Sequence, residues 1–222
     1  RYKIKDKVGH DERKWGRWTC AHFVGKKGKL AIIGTYGPTT NEGDADNQSM
    51  WKRQERQMHM VPQTERQQNP KEQYIHDLTN TIQKLKQKGY MVLMAGDTNV
   101  NEQDRAMQTV RRWTQQTREM NMINIHKTMW PTIHTQIHKW ELNGKKTWID
   151  QMYASWDILN KGGITEAGIE TSHTSYTSDH HMIGITTNFS KILGRIKQLP
   201  IQQQIRRRTV KAGNKDSKRE YQ

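Results

Sequence analysis

Two short apolar runs set the terms for this chain. Leu30-Ala31-Ile32-Ile33 and Met91-Val92-Leu93-Met94-Ala95 carry apolar side chains at consecutive positions. Successive residues of a strand point to opposite faces, so a run loaded on both faces needs cover on both sides. Neither run approaches the ~20 residues that a membrane span needs. The pattern therefore predicts a water-soluble α/β domain with buried central strands and no membrane partner.

The flanking segments supply the cover. Arg17–Val24 and Lys29–Tyr36 are rich in strand formers and are separated by Gly25-Lys26-Lys27-Gly28, which predicts a β-hairpin ending at Tyr36-Gly37-Pro38. Thr39–Gln68 is polar and Gln-rich and reads as an insertion over about 39–68, with a short helix over Gln48–Met60. Asn69 and Pro70 suit the N-cap and first turn of a helix. Tyr74, Leu78, Ile82 and Leu85 recur at helical spacing, and Gly89 closes the helix. After Met91–Ala95 a second helix is predicted over Gln103–Asn121, with Ala106, Val110, Trp113, Thr117 and Met120 on one stripe. Met91, Met94, Met107 and Met120 fill core positions in this reading. Beyond Pro131, Thr132–Leu142 and Lys145–Ser155 flank Asn143-Gly144, a strong hairpin signal. Ile164–Ser172 and His181–Asn188 add two further strands.

Composition qualifies this picture. Leu, Ile, Val and Phe make up about 16% of the 222 residues, below the roughly 20% under which highly charged chains tend to be disordered. The net charge of +15 is uneven. Residues 191–222 carry ten Lys/Arg against two acids, and read as a basic tail after a domain spanning 1–190. The run around Arg206-Arg207-Arg208 suits a phosphate-binding arm, a nuclear-import signal or a linker. The single cysteine, Cys20, forms no internal disulfide, and fits an intracellular, reducing location. No secretory leader is read in the polar stretch Arg1–Arg17.

Three acidic motifs fall at predicted strand ends: Gly96-Asp97-Thr98-Asn99, Ile149-Asp150 and Ser178-Asp179-His180. Each on its own also fits a turn that bonds its own backbone. Brought to one sheet edge, three carboxylates, an amide and an imidazole suit hydrolysis of a phosphate ester. Carboxylates hold hard divalent cations such as Mg²⁺ through oxygen. A further Asp can orient or deprotonate water, and an Asp-oriented His can stabilise the transition state. Gly-x-Ser-x-Gly, the Walker loop and the dinucleotide fingerprint are all absent.

The order Thr35-Tyr36-Gly37-Pro38, Gly96-Asp97-Thr98-Asn99, Trp148-Ile149-Asp150 and Ser178-Asp179-His180-His181 resembles the endonuclease/exonuclease/phosphatase superfamily over about residues 18–188. That family includes deoxyribonuclease I, apurinic/apyrimidinic endonucleases and the endonuclease domains of non-LTR retrotransposons. The resemblance implies a four-layer α-β-β-α sandwich and Mg²⁺- or Mn²⁺-dependent endonucleolytic cleavage of DNA. It implies that Asp97 positions or deprotonates water, that Asn99 holds Asp97 and the phosphate in register, and that Tyr36 hydrogen-bonds the scissile phosphate or helps the leaving oxygen. Asp179, with Asp97 and Asn99, would hold the metal. His180 would contact the phosphoryl oxygen with its tautomer fixed by Asp150, and Thr132 and Ser178 would touch the nucleic-acid backbone. In retrotransposon proteins a reverse transcriptase would follow in a longer chain.

The chain departs from the family pattern in places. Thr98 stands where an aromatic residue is usual, and Gln151 follows Asp150 where an aromatic or His is common. The family opens with strands carrying an Asn and then a metal-binding Glu. Here Glu12 sits in the charge run Asp11-Glu12-Arg13-Lys14, read as solvated with no buried strand before it. This makes the domain look incomplete at its N-terminus. It leaves two rival readings, a non-catalytic remnant that binds nucleic acid through its basic surface and a phosphatase or phosphodiesterase acting on a small phosphoester. His134 and His138 are read as exposed strand residues rather than zinc ligands. Trp140 and Trp148 are read as packing together on the hairpin.

Overall fold

The computed structural model describes residues 3–4, 9–39, 49–102, 104, 106–130, 140–142, 145–170 and 180–194. The main sheet joins β1 (Lys3–Ile4), β2 (Gly9–His10), β3 (Trp18–Val24), β4 (Lys29–Tyr36), β5 (Tyr90–Asp97), β6 (Met122–Asn124) and β9 (Asp150–Ser155), in the order β1-β3-β4-β5-β9-β6 with β2 also on β3. β3 and β4 form the expected antiparallel hairpin. β4 and β5 are parallel, so the chain must cross over between them. That crossover holds α1 (Met50–Gln57), a 3₁₀ turn at Met58–Met60, and α2 (Pro70–Gln87). Asn69 caps α2 by accepting from the Glu72 N–H at 3.0 Å.

The doubly apolar runs sort their side chains as strand geometry requires. Ala31, Ile33, Val92 and Met94 join Ile75, Leu78 and Ile82 of α2, and Val110 and Trp113 of α3 (Gln108–Glu119), in one core. Leu30, Met91 and Leu93 join a second core on the opposite face. This second core includes Ile125 of α4 (Ile125–Met129), Ile158 of α5 (Trp156–Asn160), Ile164 and Ala167 of β10 (Ile164–Glu170), and Ile192 and Leu193 of α6 (Phe189–Leu193). Among the described residues β10 pairs with β11 (Met182–Thr187), as a small second sheet. The stacking is thus helices, main sheet, second sheet with short helices beside it. No described helix is long and apolar enough to cross a membrane.

Several expectations need correction. The run Lys145–Ser155 is not one strand. β8 (Lys145–Thr147) pairs with β7 (Trp140–Leu142), and β9 then starts anew in the main sheet. α3 begins at Gln108, so Ala106 lies outside it, and Met107 is 41% exposed rather than core. Backbone described as α6 runs past residue 190, and Ile192 and Leu193 are fully buried. Two short strands precede β3, and Asp11 is buried rather than solvated. It accepts from the buried Arg17 Nε at 2.7 Å, so its charge is paired. Residues 131–139, 171–179 and 195–222 lie outside the described residues, and with them Thr132, His134, His138, Ser178, Asp179 and the basic tail.

Candidate active site

Parallel pairing puts the C-terminal ends of β4 and β5 at one edge, and the antiparallel β9 begins there. The register is Tyr36 beside Asp97 and Asp97 beside Asp150. Two glycines allow the strand ends to close up. Gly96 has φ +142°, and a Cβ there would lie 2.0 Å from the Thr35 carbonyl oxygen. At Gly37 a Cβ would lie 2.2 Å from the carbonyl oxygen of Thr98. Any side chain at either position would drive Tyr36 and Asp97 apart.

The loop after β5 is built around Asp97. Its Oδ1 accepts from the Asn99 backbone N–H at 2.8 Å, and its Oδ2 from the Asn99 side-chain amide at 3.0 Å. The same amide also donates to the Gly37 carbonyl at 2.8 Å, tying the two strand ends together. Asn99 has φ +52°, a left-handed conformation that asparagine tolerates better than most residues. Asp150 is buried, and its Oδ2 lies 2.7 Å from Nδ1 of the half-buried His180. An ionised carboxylate only accepts, so this contact assigns the proton to Nδ1 and fixes the ring.

The electrostatics single out Asp97. Burial pushes its carboxyl up to about 6, and the charge of Asp150 adds to this against the Asn99 N–H, His180 and Lys71. Burial also pushes the Tyr36 phenol up, with the Asp97 charge adding to it. A desolvated carboxylate beside a second one is a place where added positive charge is favourable.

Of the residues expected here, Tyr36, Asp97, Asn99, Asp150 and His180 lie together at this edge. Thr132, Ser178 and Asp179 are outside the described residues. Sequence reasoning missed three supports. Lys71, in the first turn of α2, is buried and donates to the Asn99 carbonyl, and burial pulls its ammonium down to about 8 against the charge of Asp97. A lysine in a first turn opposes the helix dipole, and this misplaced charge was the signal available in the sequence. Thr98 does not merely pack. Its backbone N–H and hydroxyl both donate to the Ile149 carbonyl at 2.9 Å. Gln151 is 1% exposed, and its amide donates to the carbonyls of Val100 at 2.7 Å and Trp148 at 3.0 Å. Together Thr98 and Gln151 brace the Asp97 loop against the segment that delivers Asp150.

That brace is testable. Gln151→Leu keeps the volume but leaves two buried carbonyls without this donor, at about 1–3 kcal/mol. For a chain of this size thermal unfolding should fall by roughly 3–10 °C. A melting curve unchanged from wild type would dismiss the brace.

No family model matches the chain, and no curated protein matches it. Solved structures do. The 3′ phosphatase NExo from Neisseria bound to product DNA hairpin is 14% identical, with a TM-score of 0.57, over 85% of this chain and 72% of that one. The endonuclease domain of TRAS1, a telomere-specific non-LTR retrotransposon, is 10% identical with a TM-score of 0.51, over 78% of this chain and 64% of that one. The catalytic domain of Xenopus laevis APE2 is 17% identical with a TM-score of 0.50, over 78% of this chain and 56% of that one. At such identities the likeness speaks for architecture, and in architecture the chain has the deoxyribonuclease I-like α/β fold of the endonuclease/exonuclease/phosphatase superfamily.

Proposed function

We propose that this chain hydrolyses phosphodiester bonds with the help of a divalent cation, Mg²⁺ or Mn²⁺, and that its substrate is DNA cut internally. The observation that carries the reading is the convergence of Asp97, Asn99, Tyr36 and the Asp150–His180 pair on one sheet edge. In this reading Asp97 orients the attacking water and takes its proton. Asn99 holds Asp97 and the phosphate, Tyr36 bonds a phosphate oxygen, and His180, oriented by Asp150, stabilises charge on another. Thr132 and Ser178 contact the nucleic-acid backbone.

The donor chemistry fits a hard cation. Asp97 and Asn99 offer oxygen ligands, and the raised carboxyl of Asp97 marks negative charge awaiting compensation. Among the described residues no three His, Cys, Asp or Glu side chains cluster tightly enough to hold an ion by themselves, so this reading gives Asp179 a ligand role. Such an ion would neutralise phosphoryl charge and acidify bound water. Nucleic acid is favoured over a small phosphoester by the +15 charge, and by the likeness to NExo, a phosphatase described with product DNA.

The test is nicking of intact and abasic supercoiled plasmid by the full chain in a Mg²⁺ or Mn²⁺ titration. Nicking that EDTA abolishes is expected. A folded protein that nicks neither plasmid under either metal would reject the proposal in favour of a nucleic-acid-binding remnant.

A further inference from the structure

At the far end of the main sheet from Tyr36, three segments meet: the Gly25–Gly28 turn, the turn after α5, and α6. Glycines let them pack backbone to backbone. A Cβ at Gly25 would lie 2.2 Å from the Leu193 carbonyl oxygen, and one at Gly163 would lie 2.6 Å from the Ile192 side chain. The Lys27 N–H donates to the Leu193 carbonyl at 3.0 Å, and the Asn188 N–H to the Gly163 carbonyl at 2.7 Å. The place of these segments is therefore set by backbone contacts, not by their lysines.

This packing gathers Lys26, Lys27, Lys161 and Lys191 around one cavity of about 1130 Å³, with Asn188 and Ser190 adding neutral polar groups. All four lysines are exposed, and none makes an ion pair among the described residues. Among the described residues no carboxylate lines the cavity. Asp157 on α5, four residues before Lys161, also lies in the field of Lys86. Among the described residues the Lys161 ammonium meets the Met91 sulfur, at 3.6 Å, a weak acceptor for a cation. Four like charges held together by a fixed backbone repel one another unless an anion joins them.

We infer that this pole is a second binding site, for the phosphodiester backbone of a polynucleotide, separate from the hydrolytic edge. The chain's own continuation does not suit it. Residues 195–222 carry nine Lys/Arg against two acids, so their composition supplies like charge rather than an anion. β4 runs from Lys29 to Tyr36, so the pole and the edge lie about 23 Å apart through the buried sheet at ~3.3 Å per residue. Both faces of that sheet are covered, so a polynucleotide touching both places passes over the outside and needs more than about seven nucleotide steps, which no mononucleotide supplies.

The experiment measures binding of a fluorescent 20-nucleotide DNA to the full chain by anisotropy, in EDTA, across a salt series. The test protein carries Lys26→Gln, Lys27→Gln, Lys161→Gln and Lys191→Gln. The control loses the same charge elsewhere, through Lys14→Gln, Arg111→Gln, Arg118→Gln and Lys127→Gln. Each lost phosphate contact lowers the slope of log affinity against log salt by about 0.7–0.9, so loss of all four lysines should remove about 3 in slope and on the order of 10³-fold in affinity at 0.1 M salt relative to 1 M. The control should lose less than half of that. Lys26→Gln with Lys27→Gln alone, on the turn, should show about half the effect of the full set. Equal losses in test and control, or none in the test protein, overturn the inference. A pole that binds inorganic triphosphate while DNA affinity stays the same in wild type and variant overturns the polynucleotide assignment. Because binding is read without metal or turnover, failure of the hydrolytic proposal leaves this result readable. A small chromogenic phosphodiester, too short to reach the pole, should be turned over equally by wild type and the pole variant.

Discussion

Asp97→Asn should lower phosphodiester hydrolysis by about 10²–10⁴-fold, the usual contribution of a positioned proton acceptor, while stabilising the metal-free protein at pH 7. The second half follows from linkage. The folded carboxyl sits at about 6, against ~3.9 for an unfolded aspartate. The folded state therefore holds this proton more tightly than the unfolded state does. Above pH 6 the ionised, desolvated group costs folding free energy in full. As pH falls from 6 to 4 the penalty is relieved, and below 4 it is gone. The shift of about two pH units corresponds to roughly 1–3 kcal/mol at pH 7. The amide keeps an acceptor for the Asn99 backbone N–H but sets its NH₂ against the Asn99 side-chain amide, which offsets about 1 kcal/mol. Urea unfolding in EDTA at pH 5 and pH 7 measures the effect. Wild type should be relatively weaker at pH 7, and the gap to the variant should narrow by about half at pH 5. A variant less stable than wild type at pH 7, or one with full activity, would remove Asp97 from its role. Loss of function with gain of stability is what a group held in an unfavourable place for chemistry produces.

The contrast between what was legible in the sequence and what was not follows interaction range. The β3–β4 hairpin, the α2 cap at Asn69 and the double loading of β4 and β5 rest on turn chemistry and periodicity, which are local. The edge that gathers Tyr36, Asp97 and Asp150 was legible because each motif ends or begins a strand, and a parallel pair must put its strand ends together. Lys71, Thr98 and Gln151 each reach a carbonyl more than 25 residues away, and no spacing rule ties a side chain to a particular distant carbonyl. The split of β8 from β9 was hidden because Trp148 and Ile149 continue the apolar pattern through the break. α6 was read as tail because its two buried residues, Ile192 and Leu193, are too few to show a period.

The same reasoning explains why Asp11-Glu12-Arg13-Lys14 looks like a solvated run, and why Arg17→Ala should be the most destabilising single change outside the apolar core. Arg17 is fully buried. Its Nε donates to Asp11 Oδ2 at 2.7 Å, and its Nη2 to Asp11 Oδ1 at 2.8 Å and Asp77 Oδ2 at 2.9 Å. The guanidinium carbon also lies 4.6 Å from the ring centroids of both Trp15 and Trp18. Removing it leaves Asp11 as a buried carboxylate without its cation, at about 3–5 kcal/mol, or a melting point lower by roughly 10 °C or more. Replacing Arg17 and Asp11 together by apolar residues of similar volume should recover much of that loss, because the pair's desolvation cost disappears with its charges. Burial alone would raise Asp77. Its hydrogen bonds from Arg13 and the charge of Arg17 outweigh burial and hold the carboxyl below its usual range. The stability this contributes is present above pH ~4 and is lost as pH falls through the lowered value, opposite in sign to Asp97. The network also reaches the candidate active site through backbone, since the Arg17 carbonyl accepts from the Tyr36 N–H at 2.8 Å and the Thr35 hydroxyl at 3.2 Å. Arg17→Ala should therefore lower turnover at temperatures where the variant is still folded, and Tyr36→Phe in that background should cost less than it does in wild type. Equal costs of Tyr36→Phe in the two backgrounds would show that the network stabilises the fold without positioning Tyr36.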